Sequence, residues 1–212
     1  MSKNKLQKFA ELEEFSNVFQ RTQKDAKGKL NEFLKDKPTI LELACGRGEY
    51  TLALAKMFPD KSFIGIDYQG ERLWFGSKKA QKEKLSNVRF LRIYVEELLE
   101  YFKPNSINEI WITFPDPFPK KRHTKKRLTF ERFLAIYKKV LKPKGVVRLK
   151  TDDKNFFEYS LESIKEFGGK ILEKLEDIYK NKVNNPLLYV QTHYEKKHLK
   201  NKKAIYYLKF SV

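Results

Sequence analysis

The 212-residue sequence is 41% apolar, long enough for one sizeable core and too short for two large domains. Its 45 Lys and Arg against 27 Asp and Glu leave a formal charge of +18, which points to a polyanionic partner, nucleic acid ahead of an anionic membrane surface. No run approaches the roughly 18–20 apolar residues of a spanning helix. The opening MSKNKLQKFAELEEF lacks the apolar centre of a signal peptide, and the single Cys45 cannot form an intramolecular disulfide, so a cytoplasmic protein is expected.

Residues 1–37 carry Leu6, Phe9 and Leu12, then Leu30, Phe33 and Leu34, at helical spacing and close at Lys37-Pro38. They predict an N-terminal arm and a lead-in helix, with the main domain over 38–212. From Pro38 short β-rich runs alternate with helical patterns: TILELA then EYTLALAKMF, SFIGID then GERLWFGSKKAQKEK, VRFLRI then VEELLEYF, NEIWITF then TFERFLAIYKKVL, VVRLK then DKNFFEYSLESIKEF. Such strand-helix repeats in series predict an α/β fold whose parallel sheet has helices on both faces. KILEKLEDI and AIYYLKFSV bring the expected strands to seven. A polar loop of about two dozen residues separates those two, a length that in a compact domain marks a functional or mobile segment. Ligands of such sheets bind beyond the carboxyl ends of the strands, here after Ala44, Asp67, Ile93, Phe114 and Thr151.

The first of these places reads Glu42-Leu43-Ala44-Cys45-Gly46-Arg47-Gly48-Glu49, a glycine turn opening a helix. Gly46 and Gly48 allow a tight turn and a close backbone approach to a ligand, and Asp67 ends the next strand with a carboxylate able to accept both hydroxyls of a ribose. A nucleoside cofactor follows. A dinucleotide fingerprint wants a third small residue where Thr51 stands, to pack around a pyrophosphate. S-adenosyl-L-methionine has no pyrophosphate, and its charged methionine end suits Glu42. The turn E-x-A-C-G-x-G resembles motif I of the class I methyltransferases. Cys45 has no evident base nearby and reads as a small side chain in a tight turn.

After the fourth strand comes Pro115-Asp116-Pro117-Phe118-Pro119, in which the prolines stiffen the chain and delay the next helix, so Asp116 sits on a rigid loop at the active end of the sheet. Lys120, Lys121, Arg122, His123, Lys125, Lys126 and Arg127 follow at once. Between an apolar strand and an amphipathic helix, such a run suits phosphate binding better than a solvated charge patch. Lys196, Lys197, Lys200, Lys202 and Lys203 are further phosphate candidates. His193 and His198 do not share a helical face and no Cys joins them, so no metal site is expected.

FPDPFPKKRH followed by KKRL resembles the signature of the bacterial tRNA (guanine-N7)-methyltransferases, the TrmB family. ELACGRGE, FIGID, LKTDD and Thr192-His193-Tyr194-Glu195 are similar, in order, to that family's glycine loop, second strand, T-D-W element and late T-x-[FY]-E element. The resemblance implies a Rossmann-like class I fold and methyl transfer from S-adenosyl-L-methionine to N7 of the variable-loop guanosine of tRNA, position 46 in tRNA numbering. It implies cofactor contacts from Glu42, Gly46, Gly48, Asp67 and Asp116, with Asp116 also the catalytic residue. It implies substrate contacts from Lys120, Arg122, His123, Asp152, Thr192, Tyr194 and Glu195. Three departures stand out: Tyr94 where the family carries an acid near the adenine, so that Tyr94 stacking or Glu96 or Glu97 would take its part; Phe118 for Trp; and Thr151-Asp152-Asp153 for T-D-W.

Guanine N7 has an exposed lone pair and needs no general base, in keeping with a sequence that offers no evident one. An RNA amino-methyltransferase is the nearest alternative, since Asp116-Pro117-Phe118 partly matches a D-P-P-[FY] element; the missing second proline counts against it. A catalytically silent RNA-binding protein of the same fold, and a nicotinamide oxidoreductase, are the others. The sequence leaves monomer and homodimer equally open.

Overall fold

The computed structural model describes residues 3–35, 37–180 and 183–212. Residues 1, 2 and 36 of the expected arm and lead-in helix, and 181 and 182 of the late loop, lie outside them. Two compact units divide the chain, Met1–Phe102 and Lys103–Val212.

The first unit holds α1 (Lys3–Glu14), β1 (Val18–Gln20), α2 (Ala26–Phe33), β2 (Thr39–Leu43), α3 (Glu49–Met57), β3 (Ser62–Ile66), α4 (Gly70–Lys82), β4 (Val88–Arg92) and α5 (Leu98–Tyr101). Its strands lie in the order β1-β4-β3-β2 and every pairing is parallel. All residues of β2 and β3 are buried, as expected of parallel strands covered on two faces, which show no alternating polar side.

The second unit holds β5 (Ile107–Thr113), α6 (Glu131–Val140), β6 (Leu141–Thr151), α7 (Lys154–Glu166), β7 (Lys170–Leu175), α8 (His193–Lys200) and β8 (Tyr206–Ser211), with 3-10 turns at Lys121–Lys126 and Pro186–Tyr189. β5 and β6 pair in parallel; β8 lies antiparallel to β6 and β7 antiparallel to β8. Phe156 and Phe157 of α7 belong to the core with Ile110, Leu149 and Leu208.

The expected count of seven strands is corrected to eight among the described residues, four in each unit. The additional one is β1, which joins the sheet through Val18, Phe19 and Gln20 opposite Phe90, Leu91 and Arg92. Three residues give no alternation to detect, so nothing in the sequence sets this stretch apart from the expected arm and lead-in helix.

Candidate functional site

Both candidate turns begin on a left-handed non-glycine residue at the end of a strand. Ala44 (φ 54°) follows β2 and Phe114 (φ 50°) follows β5. Side chains disfavour this region, and such residues persist where the surrounding fold dictates a sharp exit, commonly at ligand sites.

In the first unit, Cys45 and Gly48 close the turn with a backbone hydrogen bond of 2.8 Å. Gly46 (φ 56°) has open space where a side chain would stand, whereas a Cβ on Gly48 (φ 65°) would overlap the Phe90 ring. One glycine therefore leaves room for a ligand and the other packs against β4. The Gly46 N–H donates to Asp67 Oδ2 at 3.0 Å, and the Gln69 N–H to Asp67 Oδ1 at 2.8 Å. A carboxylate has about four lone-pair directions, so both oxygens retain acceptor capacity. Burial pushes the Asp67 carboxyl above the usual aspartate range, against the pull of those N–H groups.

Glu42 is buried, and its Oε2 accepts from the Thr51 N–H at 2.8 Å and from the Thr51 hydroxyl. Thr51, which set this turn apart from a dinucleotide fingerprint, thus anchors Glu42 to the first turn of α3. Tyr94 is half-exposed and stacks on Tyr68, with centroids 5.3 Å apart and planes at 18°. These rings border a cleft of about 400 Å³ lined also by Gln20, Arg21, Arg92 and Ile93. Glu96 is exposed; Glu97 accepts from the Tyr94 N–H at 2.8 Å and pairs with Arg21 at 3.1 Å.

In the second unit, Asp116 is exposed and its Oδ1 accepts from the Phe118 N–H at 3.0 Å, an Asx turn that holds the carboxylate over the proline loop. The basic run forms the 3-10 turn Lys121–Lys126. Among the described residues, none of Lys120, Lys121, Arg122, Lys125 and Lys126 enters an ion pair, which leaves a cationic surface without internal compensation. His123 meets the edge of Phe118 at 6.2 Å between centroids. Arg127 turns inward: Nε lies 3.1 Å from Pro117 O and 3.3 Å from Phe118 O, Nη2 lies 3.1 Å from Phe118 O, and the guanidinium sits 4.3 Å from the Tyr159 ring centroid.

Asp152 Oδ2 takes Lys203 Nζ at 2.6 Å and His198 Nδ1 at 3.1 Å, and the His198 ring stacks on Phe114 at 5.7 Å. Burial lowers the His198 pKa, against the pull of the Asp152 carboxylate beside it. Sequence reasoning weighed His198 only as a metal ligand and missed this role. Asp153, which stands where the T-D-W element has its Trp, caps α7 by accepting from the Phe156 N–H at 2.7 Å.

Thr192 caps α8, accepting from the Glu195 N–H at 3.2 Å. Glu195 is fully buried, bonded to Lys150 and to the Tyr179 hydroxyl at 2.9 Å, while Tyr194 is 47% exposed. Of the late motif, then, Tyr194 faces solvent and the acid faces inward. Among the described residues no group of three His, Cys, Asp or Glu could hold a metal ion, and no helix is long and apolar enough to cross a membrane.

Residues 36–208 match a family described as a putative methyltransferase. A tRNA (guanine-N(7)-)-methyltransferase of Christiangramia forsetii is 46% identical over 222 residues, spanning 100% of this chain and 99% of the relative. A protein of the same description from Bacteroides fragilis is 40% identical over 219 residues, 99% of this chain and 86% of the relative. Among solved structures, the 16S rRNA methyltransferase KamB superposes with a TM-score of 0.69 at 13% identity, over 92% of this chain and 98% of that one. A SAM-dependent methyltransferase from Aquifex aeolicus gives 0.59 at 18% identity over 100% of both. At such identities these structures establish the Rossmann-like methyltransferase fold and nothing finer.

Proposed function

The chain belongs to the tRNA (guanine-N7-)-methyltransferase family, and on that footing we propose that it transfers the methyl group of S-adenosyl-L-methionine to N7 of a guanosine in tRNA. The observation that carries the reading to this chain's own residues is the exposed Asp116 on a proline-held loop, followed directly by an uncompensated cationic turn.

The residues of the first unit fit the cofactor. Asp67 keeps acceptor capacity for ribose hydroxyls, Gly46 leaves open space for close approach, and Glu42 places negative charge at the end of β2 for an ammonium group. Tyr94, with Tyr68, offers an aromatic face for adenine where the family carries an acid, and Glu96 stands next to it. The bound group supplies an electrophilic methyl on a sulfonium centre. Asp116 is proposed to contact it as well.

Guanine presents N1–H and N2–H on one edge, and Asp116, an acceptor, takes those protons' hydrogen bonds and stabilises the positive charge that methylation places on the ring. No proton leaves N7, so no base is required. Alignment then supplies most of the acceleration; well-oriented reactants can gain up to about 7–11 kcal/mol. Lys120, Arg122 and His123 take phosphate or the base's surroundings, and Asp152 and Tyr194 the guanosine or its neighbours. Thr192 and Glu195 hold α8, which presents Tyr194. The base must be extruded from folded RNA at a cost of a few kcal/mol, which phosphate contacts offset.

The modified residue is position 46 of the variable loop, and the protein works in the cytoplasm as a monomer or homodimer. Borohydride and aniline cleave RNA at 7-methylguanosine. A transcript treated with the protein and then cleaved should break once, at position 46, and a break elsewhere would displace that assignment.

A further inference from the structure

We propose that Arg127 is a positioning residue for Asp116, acting through the Pro117–Phe118 peptide, and is not a phosphate ligand. The proposal rests on the reading of Asp116 given above.

Pro115, Pro117 and Pro119 bring no N–H groups, so the loop cannot be held by donors of its own at those places. Its carbonyls need donors from elsewhere, and Arg127 provides them. The peptide between Pro117 and Phe118 is gripped at both ends: its oxygen accepts from Arg127 Nε at 3.1 Å, and its N–H donates to Asp116 Oδ1 at 3.0 Å. In a trans peptide these two groups point in opposite directions. A cation at the oxygen and a carboxylate at the N–H therefore both align the same dipole, and each hydrogen bond strengthens the other. The next carbonyl, Phe118 O, takes Arg127 Nε at 3.3 Å and Nη2 at 3.1 Å. Because the guanidinium is a rigid fork, bonds to two successive carbonyls fix their relative orientation and hold Phe118 in its left-handed conformation (φ 44°). Tyr159 of α7 lies against the guanidinium, with Cζ 4.3 Å from the ring centroid. Arg127 is thus spent on the loop, unlike the cations of residues 120–126 that precede it.

The test compares Arg127→Gln, Arg127→Lys and Asp116→Ala, with the double variant Asp116→Ala/Arg127→Gln, in the full chain. Melting temperature and S-adenosyl-L-methionine binding report folding. Single-turnover methyl transfer at saturating tRNA should fall about 10- to 100-fold in Arg127→Gln, the scale of a small misplacement of a reacting geometry. The tRNA Kd and its salt slope should stay within about twofold of the wild type, since no phosphate is released. Arg127→Lys should recover part of the rate, and Arg127→Gln should add nothing in the Asp116→Ala background. A drop in salt slope of about 0.7–0.9 with an unchanged rate for bound tRNA would make Arg127 a phosphate ligand and overturn the proposal. Equal losses with and without Asp116 would overturn it too. A wild-type protein that methylates no tRNA would sink the functional reading, and a fully active Asp116→Ala the role of that residue; the proposal falls with either.

Discussion

Lys150 and Glu195, both without solvent exposure, are bound to each other through Lys150 Nζ, which donates to the two carboxylate oxygens at 2.9 and 2.8 Å. Lys150 also donates to Leu188 O at 2.8 Å and Val190 O at 3.3 Å, so one ammonium group joins β6 to the turn before α8 and to α8 itself. A buried charge is tolerated only when paired and fully hydrogen-bonded, and this one is.

Removing one partner leaves the other charge buried alone. Lys150→Met should cost about 3–5 kcal/mol of stability, read as a lowered denaturation midpoint. Lys150→Met/Glu195→Leu, which removes both charges, should recover most of that loss. A double variant as unstable as the single one would show that packing, and not the uncompensated carboxylate, sets the cost.

Ala44 carries a left-handed backbone at the exit of β2. Glycine relieves that strain but loses more entropy on folding, and the balance favours Ala44→Gly by about 0.5–1 kcal/mol. Thermal unfolding should shift upward by roughly 1–4 °C for a chain of this size. A downward shift would mean that the methyl group's packing outweighs the strain.

Asp67 has a carboxyl raised by burial. Its contribution to the stability of the unliganded protein is complete below the ordinary aspartate range and is lost as pH rises through the shifted value. Ribose hydroxyls donate to the ionised form, so S-adenosyl-L-methionine affinity should rise with pH across that same window, with release of a proton on binding. Calorimetry in buffers of different ionisation enthalpy reads both. An affinity flat in pH, with no proton released, would remove Asp67 from the ribose contact.

The cationic turn should act through charge. Replacing Lys121, Lys125 and Lys126 by Gln should lower the slope of log affinity for tRNA against log salt by roughly 0.7–0.9 for each phosphate that is no longer neutralised. S-adenosyl-L-methionine binding should not change. A slope equal to the wild type's would show that these lysines face away from the RNA.

Much of the fold was legible in the chain. The β-rich runs Thr39–Leu43 and Ser62–Ile66, each followed by a turn and a helix, announced parallel strands, and the acid and glycines at their ends marked a candidate cofactor loop. The hidden part was pairing at a distance. Lys150 and Glu195 are 45 positions apart, and nothing local in LKTDD or THYE reveals that each exists for the other. Arg127 looked like the last cation of a basic run, but its side chain follows the carbonyls of a loop 9 and 10 residues earlier. His198 looked isolated because its partners, Phe114 and Asp152, come from two other segments. Composition and periodicity report which face of an element is buried; they are silent on which polar groups meet across it.

The protein, incubated with labelled S-adenosyl-L-methionine and unmodified tRNA, should yield on complete digestion a single labelled nucleoside, 7-methylguanosine, and Asp116→Ala should abolish most of the label. Label in an amino-methylated nucleoside such as N6-methyladenosine would mean that the methyl group goes to an exocyclic amine and not to guanine N7.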